Sequence, residues 1–226
     1  MFNFDFGSTP AVSNSKKRLA PWDIYKVKFN GCEIREFDGK IDPTQHYKVL
    51  QVNFEGDEGY YSESIFFPKE GDNVPREFPT ANGGVRKTPS NWDKTKALIA
   101  QLATVLNSEG FKKMCSMASK FKNFDDMCKA LIAITDPKKG TEVELKLIGR
   151  ANKNGSIEAC LPNIIAYNKE GQLFVCDNFI GKNLFFSSWE EGRRAQYKNA
   201  KPTPVEDIAI PTEDKVEGLD LSSLIE

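Results

Sequence analysis

The segment "WDIYKVKF", residues 22–29, alternates in side-chain character with the period of two that a β-strand imposes. We expect one face of this strand to be buried in a core, whereas the other face combines large apolar side chains with two cations. The expected core face consists of Tyr25, Val27 and Phe29, and the opposite face of Trp22, Ile24, Lys26 and Lys28.

Two further β-rich segments follow, "HYKVLQVNFE" at 46–55 and "YYSESIFFP" at 60–68, with turn-like residues between them. Three consecutive strands predict an antiparallel meander. In the second strand the expected core set is Leu50, Val52 and Phe54, and the opposite face carries Tyr47, Val49, Gln51 and Asn53. Tyr60 and Tyr61 are adjacent, so one of these two rings must face outward.

A helical block interrupts the strands. Residues 69–89 contain several Pro and Gly residues and predict a loop, and apolar side chains at helical spacing follow over 90–135. Ser90 or Asn91, Ser108 and Asn123 are expected to cap three helices. Strands return at 141–150, and the segments 161–168 and 172–179 predict a hairpin.

This order predicts a mainly β fold with a helical insert (α+β). It fits a five-stranded, partly open, OB-like Greek-key barrel with helices between strands 3 and 4, although a generic α+β sandwich would give the same order. We divide the chain into a flexible N-terminal arm, an OB-like domain, a basic linker and an acidic tail. Their bounds are 1–20, 21–190 with the helical insert at 90–135, 191–204 and 205–226.

The charge of the chain is segregated. Residues 205–226 hold seven acidic residues and one lysine, a net charge of −6, and because the whole chain carries −1, residues 1–204 carry +5. Such asymmetry is typical of interaction tails on proteins that bind polyanions. The chain contains no stretch of about 18 apolar residues, and its five cysteines are scattered, so we expect a soluble cytosolic protein with reduced thiols.

Enzymatic chemistry has little support in the sequence. The single histidine, His46, has no identifiable partner, and the sequence contains no Walker-type loop. The best enzyme candidate is a metal-dependent nuclease that uses Asp136, Glu144 and Lys146, but this alternation is also that of any strand with one solvated face. We therefore predict a protein that is not an enzyme and that has no catalytic residue, metal or cofactor.

Aromatic and basic side chains on the predicted strands suit single-stranded nucleic acid, because rings stack on bases and cations follow the phosphates. The stacking candidates are Trp22, Tyr25 or Tyr47, and Tyr60 or Tyr61, and the backbone candidates are Lys26, Lys28, Lys48 and Arg150. For each ring taken alone, closure of the core is the favoured interpretation, because Trp and Tyr at strand ends more often close a core.

The chain resembles the single-stranded DNA-binding proteins of tailed bacteriophages, loosely over residues 20–190 and in its tail. Besides the β-rich core with a helical insert, the resemblance involves "WDIYKVKFNGCEI" (22–34), "DNFIGKNLFFSSWEE" (177–191) and the start "MFNFDFGSTP" (1–10). It implies sequence-tolerant binding of single strands during phage replication or recombination, in the cytoplasm of the infected bacterial host. Whether the chain self-associates stays open.

The resemblance also implies that the acidic tail recruits replication or recombination proteins and competes with DNA. The expected partner-binding residues are Asp214, Glu217, Leu219, Asp220, Leu221, Leu224 and Ile225. Family tails often end in an aromatic residue, whereas this tail ends in Glu226. The alternative function is a phage virion structural or assembly protein that uses "MFNFDFG" (1–7) and "LDLSSLIE" (219–226) to clip neighbouring subunits. The nuclease is the third hypothesis.

Overall fold

The computed structural model describes residues 17–39, 42–69, 71–80 and 83–200. Most of the predicted arm and the whole predicted tail, with its seven partner-binding residues, lie outside the described residues. The described residues form a mixed α+β structure in which a mostly antiparallel sheet packs against helices.

The strands are β1 (Asp23–Asp38), β2 (His46–Gly56), β3 (Gly59–Phe66), β4 (Arg76–Pro79), β5 (Val85–Thr88), β6 (Glu142–Ala151), β7 (Ile157–Cys160), β8 (Ile165–Tyr167), β9 (Leu173–Val175) and β10 (Ile180–Gly181). The helices are α1 (Asn91–Ser116), α2 (Phe124–Thr135) and α3 (Ser188–Asn199).

The main sheet has the strand order β10-β6-β1-β2-β3, and β7 pairs with the second half of β6. The strand β1 is long enough to serve two neighbours, because its residues 23–28 pair with β6 and its residues 28–38 pair with β2. A bulge between Phe29 and Gly31 separates the two halves, and Gly31 has a φ of 108° that glycine adopts without strain. Within the described residues β3 and β7 are not hydrogen-bonded to each other, so the sheet is not a closed barrel.

The core lies between the sheet and the first two helices. The predicted core faces are confirmed, since Tyr25, Val27 and Phe29 on β1 and the set Leu50, Val52 and Phe54 on β2 are all buried. From the helical side, α1 contributes Leu102 and Ala103 and α2 contributes Leu131, each fully buried. The period of two in the strands was therefore sufficient to identify which face of each strand is covered.

The helical block is present, with two differences from the prediction. Ser90 accepts from the Asp93 N–H and Asn123 from the Asp126 N–H, as expected for caps. The first two predicted helices are both present as the two parts of α1, which non-helical backbone at Asn107 separates. The cap of the second part is Asn107 and not Ser108, since the Asn107 side chain accepts from Gly110 N–H and donates to Ile134 O. Residues 69–89, predicted as a loop, contain the hairpin β4–β5.

The segment 191–204, predicted as a linker, begins as the second part of α3. A capping box starts this helix, because the Ser187 and Glu190 side chains bond to each other's backbone N–H groups. Arg194 ties the helix to the start of β1, with Nη2 2.7 Å from Asp23 Oδ1 and Nε donating to Trp22 O. These contacts explain why a polar, basic segment is ordered here.

Candidate nucleic-acid interface

The sheet formed by β1, β2 and β3 has one face turned away from the helices, which we call the outer face. Cross-strand pairing determines which side chains are neighbours on this face. Phe37 lies opposite Tyr47, and Val49 lies opposite both Arg35 and Phe66. Further along, Gln51 and Asn53 lie opposite Ser64 and Ser62. The outer face therefore carries aromatic side chains at one end and small polar side chains in its middle.

Three rings on the outer face contact one another, and we call Phe37, Tyr47 and Phe66 the aromatic cluster. The Phe37 and Tyr47 rings are stacked with centroids 5.7 Å apart, and Phe66 meets both rings edge-on at 6.3 and 6.0 Å. Phe37 is 45% exposed and Phe66 53% exposed. Lys69 Nζ lies 5.2 Å from the centroid of Tyr47, so a cation adjoins the exposed rings.

The middle of the outer face is a hydrogen-bonded polar row. Arg35 Nη1 donates to Gln51 Oε1 at 2.9 Å, and Gln51 Nε2 in turn donates to Asn53 Oδ1 at 3.2 Å. The Ser62 hydroxyl donates to the same Asn53 oxygen at 2.7 Å. Amide, hydroxyl and guanidinium groups held in this way present donors and acceptors beside the aromatic cluster.

A groove of about 290 Å³ separates β3 from β7, and we call it the β3–β7 groove. Arg18 and Arg150 line it, together with Glu63 and Glu158. Burial raises the pKa of the Glu63 carboxyl, although the Tyr61 hydroxyl and the two arginines oppose the rise. Burial, and then the nearby Arg76 and Arg150, lower the pKa of Lys94. The groove is thus lined by two arginines and two carboxylates, and Arg150 also lies close enough to Lys94 to disfavour its charged form.

Three of the predicted stacking rings are buried. The Trp22 backbone has a φ of 62°, which ends the strand alternation, and its indole packs against Gly149. Tyr25 is in the core face, its hydroxyl donates to Ala20 O, and burial raises its pKa to about 12. Tyr61 is 1% exposed and its hydroxyl bonds to Glu63. These three rings are packed into the interior and expose almost none of their surface.

The remaining predicted residues lie in three places. Tyr47 is in the aromatic cluster, and Arg150 is in the β3–β7 groove. Tyr60, which is 42% exposed, and the exposed Lys28 are both cross-strand partners of Glu55, and Lys26 is exposed nearby on β1. These three lie at the other end of β2 from Tyr47, at a distance of about 26 Å along the strand.

Lys48 is placed differently from the prediction. It points toward α2, where Nζ lies 2.6 Å from Asp125 Oδ1 and 3.2 Å from Glu36 Oε1. Hydrogen bonds from these two carboxylates raise the pKa of Lys48. Lys48 therefore joins the sheet to the helix and is already neutralised, so it is unsuited to binding a phosphate.

Sequence reasoning missed two of the three rings of the aromatic cluster, Phe37 and Phe66. Phe37 lies beyond the predicted strand, because β1 continues past the bulge at Gly31. Phe66 stands next to Phe67 in "SIFFP", and such a pair, like Tyr60 and Tyr61, indicates that one ring faces outward.

The three residues of the nuclease hypothesis each bond to different partners. Lys146 is 1% exposed and bonds to Asp177 and Glu190, whereas Glu144 accepts from Leu184 N–H and Asp136 pairs with Lys139. Among the described residues no group of three or more His, Cys, Asp or Glu side chains is arranged to hold a metal ion. His46 pairs with Asp38 on the surface, with Nδ1 and Oδ1 2.6 Å apart.

Comparisons with protein-family models, with curated proteins and with solved structures found no match for this chain. Within the part of the chain that the structure describes, no helix has the length and apolar character needed to span a membrane.

Proposed function

We propose that this chain is a single-stranded DNA-binding protein and that the outer face of β1, β2 and β3 is its binding platform. The observation that carries the proposal is the aromatic cluster, three mutually packed rings that expose two phenylalanines beside Lys69. Exposed rings on a rigid sheet stack on bases of any sequence, and adjoining cations contact the phosphates.

The strand order supports an OB-like architecture, which we propose for this domain. A long first strand pairs with two neighbours, a meander follows, helices come after the third strand, and two more antiparallel strands complete the unit as β6 and β7. In OB-folds the face of strands 2 and 3 binds oligonucleotides. Here that face carries Tyr47 and Phe66.

The charge distribution supports the same proposal. The +5 carried by residues 1–204 includes Arg18 and Arg150 at the β3–β7 groove, next to the outer face. Residues 205–226, at −6, would compete with DNA for such a surface and would recruit replication or recombination proteins of a phage in its bacterial host. Deleting residues 205–226 should therefore tighten DNA binding at low salt, and unchanged affinity would refute the competition.

Titration of a labelled oligo-dT of about 20 nucleotides, followed by fluorescence anisotropy at low salt, tests the platform directly. Phe66→Ala and Tyr47→Ala should each weaken binding by roughly 1 to 3 kcal/mol, or about 5- to 150-fold, because each removes a stacking ring. The matched control is Phe78→Ala, since Phe78 is 48% exposed but lies on the β4–β5 hairpin.

Three results are distinguishable. If the unaltered chain does not bind oligo-dT at low salt, the proposed function is wrong. If it binds but Phe66→Ala and Tyr47→Ala bind as tightly as Phe78→Ala, DNA contacts another surface. Selective weakening by the two outer-face substitutions supports both the function and the platform.

A further inference from the structure

A second set of exposed rings lies away from the outer face, in the first turn of α3 and in the segment just before it. Phe185 and Trp189 are 76% and 65% exposed, the highest values for aromatic side chains among the described residues. They border a cavity of about 430 Å³ on the side of β6 that Lys146 and Ile148 occupy, and we call it the Trp189 cavity. A cavity of this size is in the range of small-ligand sites.

The Trp189 cavity has a fixed frame. Lys146 at its base is fully buried, and its Nζ lies 2.7 Å from Asp177 Oδ2 and 2.9 Å from Glu190 Oε2. Leu184 N–H donates to Glu144 Oε2 at 2.7 Å, and Asn183 holds a left-handed φ of 57°. The segment that carries the two rings is therefore fixed to β6. It nevertheless leaves two large apolar side chains exposed to water.

The chemistry of the Trp189 cavity suits a nucleobase. Asn163, Asn178 and Asn183 line it together with Asp177 and Glu190, and side-chain amides offer the donors and acceptors that base edges require. Lys182 lies at its lining, and the Arg193 guanidinium lies 5.5 Å from the Trp189 ring centroid. An apolar peptide would use the rings alone, whereas an unpaired base uses both the rings and the polar groups of the asparagines.

The Trp189 cavity is also near the proposed DNA path. Ile148 lines the cavity, and Arg150, two residues further along the same face of β6, lines the β3–β7 groove. Two residues of a strand span about 7 Å. The groove in turn borders Ser62 and Ser64, which belong to the outer face.

We propose that the Trp189 cavity binds one unpaired base of the same DNA strand that lies on the outer face, with Phe185 and Trp189 as the stacking rings. This inference rests on the proposed function, because it extends the platform across the β3–β7 groove. Arg150 contacts the phosphates between the two aromatic sites.

Tryptophan fluorescence tests the proposal with a signal that belongs to this cavity. The three tryptophans differ in exposure, since Trp22 is 5% exposed, Trp92 is half-buried against Phe124, and Trp189 is open to solvent. Oligo-dT should quench the fluorescence of the full chain, Trp189→Phe should remove most of that quenching, and Trp92→Phe should retain it. In anisotropy, Trp189→Ala should weaken binding by roughly 5- to 150-fold.

Phe174→Ala is the matched control, because Phe174 is exposed on the neighbouring β9 but does not line the cavity. If the full chain binds oligo-dT while Trp189→Ala and Phe174→Ala both bind within twofold of it, the base site is refuted and the surface belongs to a protein partner. If the full chain itself fails to bind, the proposed function falls as well, so the two failures are separable.

Discussion

The Lys146 ammonium and the Glu190 carboxylate lie 2.9 Å apart and join β6 to α3 in the interior of the protein. Lys146 is 1% exposed, and its ammonium also donates to both oxygens of Asp177, at 2.9 and 2.7 Å. A buried cation with two carboxylates is worth little as a net contribution to stability, but it is costly to break, because the partners left behind remain out of water. This group of three side chains therefore holds the frame of the Trp189 cavity.

Replacing Lys146 by Met should lower the free energy of unfolding by about 3 to 5 kcal/mol, because Asp177 and Glu190 lose their shared cation. Urea denaturation at neutral pH measures the change. Lys112→Met is the control, since Lys112 pairs with Glu109 on the surface of α1 and its loss should cost less than about 1 kcal/mol. Equal losses for the two variants would contradict the structural role of Lys146.

The same ion pair predicts a pH dependence. Burial alone would raise the pKa of Glu190, but Lys146 and the two Ser187 donors outweigh it and hold that pKa below its ordinary value. The ionised form of Glu190 is thus favoured in the folded state. Its contribution to the free energy of unfolding is complete above about pH 4.5 and is lost as the pH falls through the lowered pKa. The pKa of Asp177 moves the opposite way, because burial raises it despite Lys146.

Glu190→Gln should consequently be less stable than the unaltered chain at pH 7, and the difference should shrink as the pH falls below about 4.5. Urea denaturation at several pH values measures it. Asp177→Asn serves as the comparison, because ionisation of Asp177 is disfavoured by folding and the sign of its pH dependence is reversed. A stability difference for Glu190→Gln that stays constant from pH 7 to pH 3 would refute the assigned pKa direction.

A close contact across the core predicts the effect of a single methyl group. A Cβ at Gly149 would overlap the Trp22 indole and the Ile157 side chain, so Gly149→Ala should destabilise the fold by about 1 to 3 kcal/mol. Gly192→Ala is the matched control, because a Cβ there meets nothing within 4 Å and alanine favours the helix α3 by up to about 1 kcal/mol. Thermal melts of the two variants should therefore shift in opposite directions.

The sequence was sufficient for features that depend on local periodicity. Alternation along 22–29 placed Tyr25, Val27 and Phe29 in the core, and Asn123 marked the start of α2, because both patterns depend only on near neighbours. The sequence did not predict where β1 ends. The bulge at Gly31 shifts the pairing register, and so Phe37 escaped assignment to the outer face.

Features that depend on distant segments were beyond the sequence. On its strand Lys146 had the pattern of a solvated side chain, but Asp177 and Glu190, 31 and 44 residues away, cover it. Trp22 had the alternation of an exposed ring, yet a left-handed φ turns it against Gly149. In adjacent aromatic pairs such as Tyr60 and Tyr61, only the packing of the folded sheet decides which ring is covered.

The β3–β7 groove predicts how DNA binding depends on salt. Each phosphate that a cation neutralises on a single strand adds about 0.7 to the slope of log affinity against log salt concentration, whereas a stacked ring adds nothing to it. Arg150→Ala should therefore weaken oligo-dT binding and flatten the slope by about 0.7, because Arg150 lines the groove between the outer face and the Trp189 cavity. Phe66→Ala should weaken binding with the slope unchanged. Lys112→Ala removes a cation on α1 and is the control. If Arg150→Ala and Lys112→Ala give the same slope, the groove is not part of the DNA path.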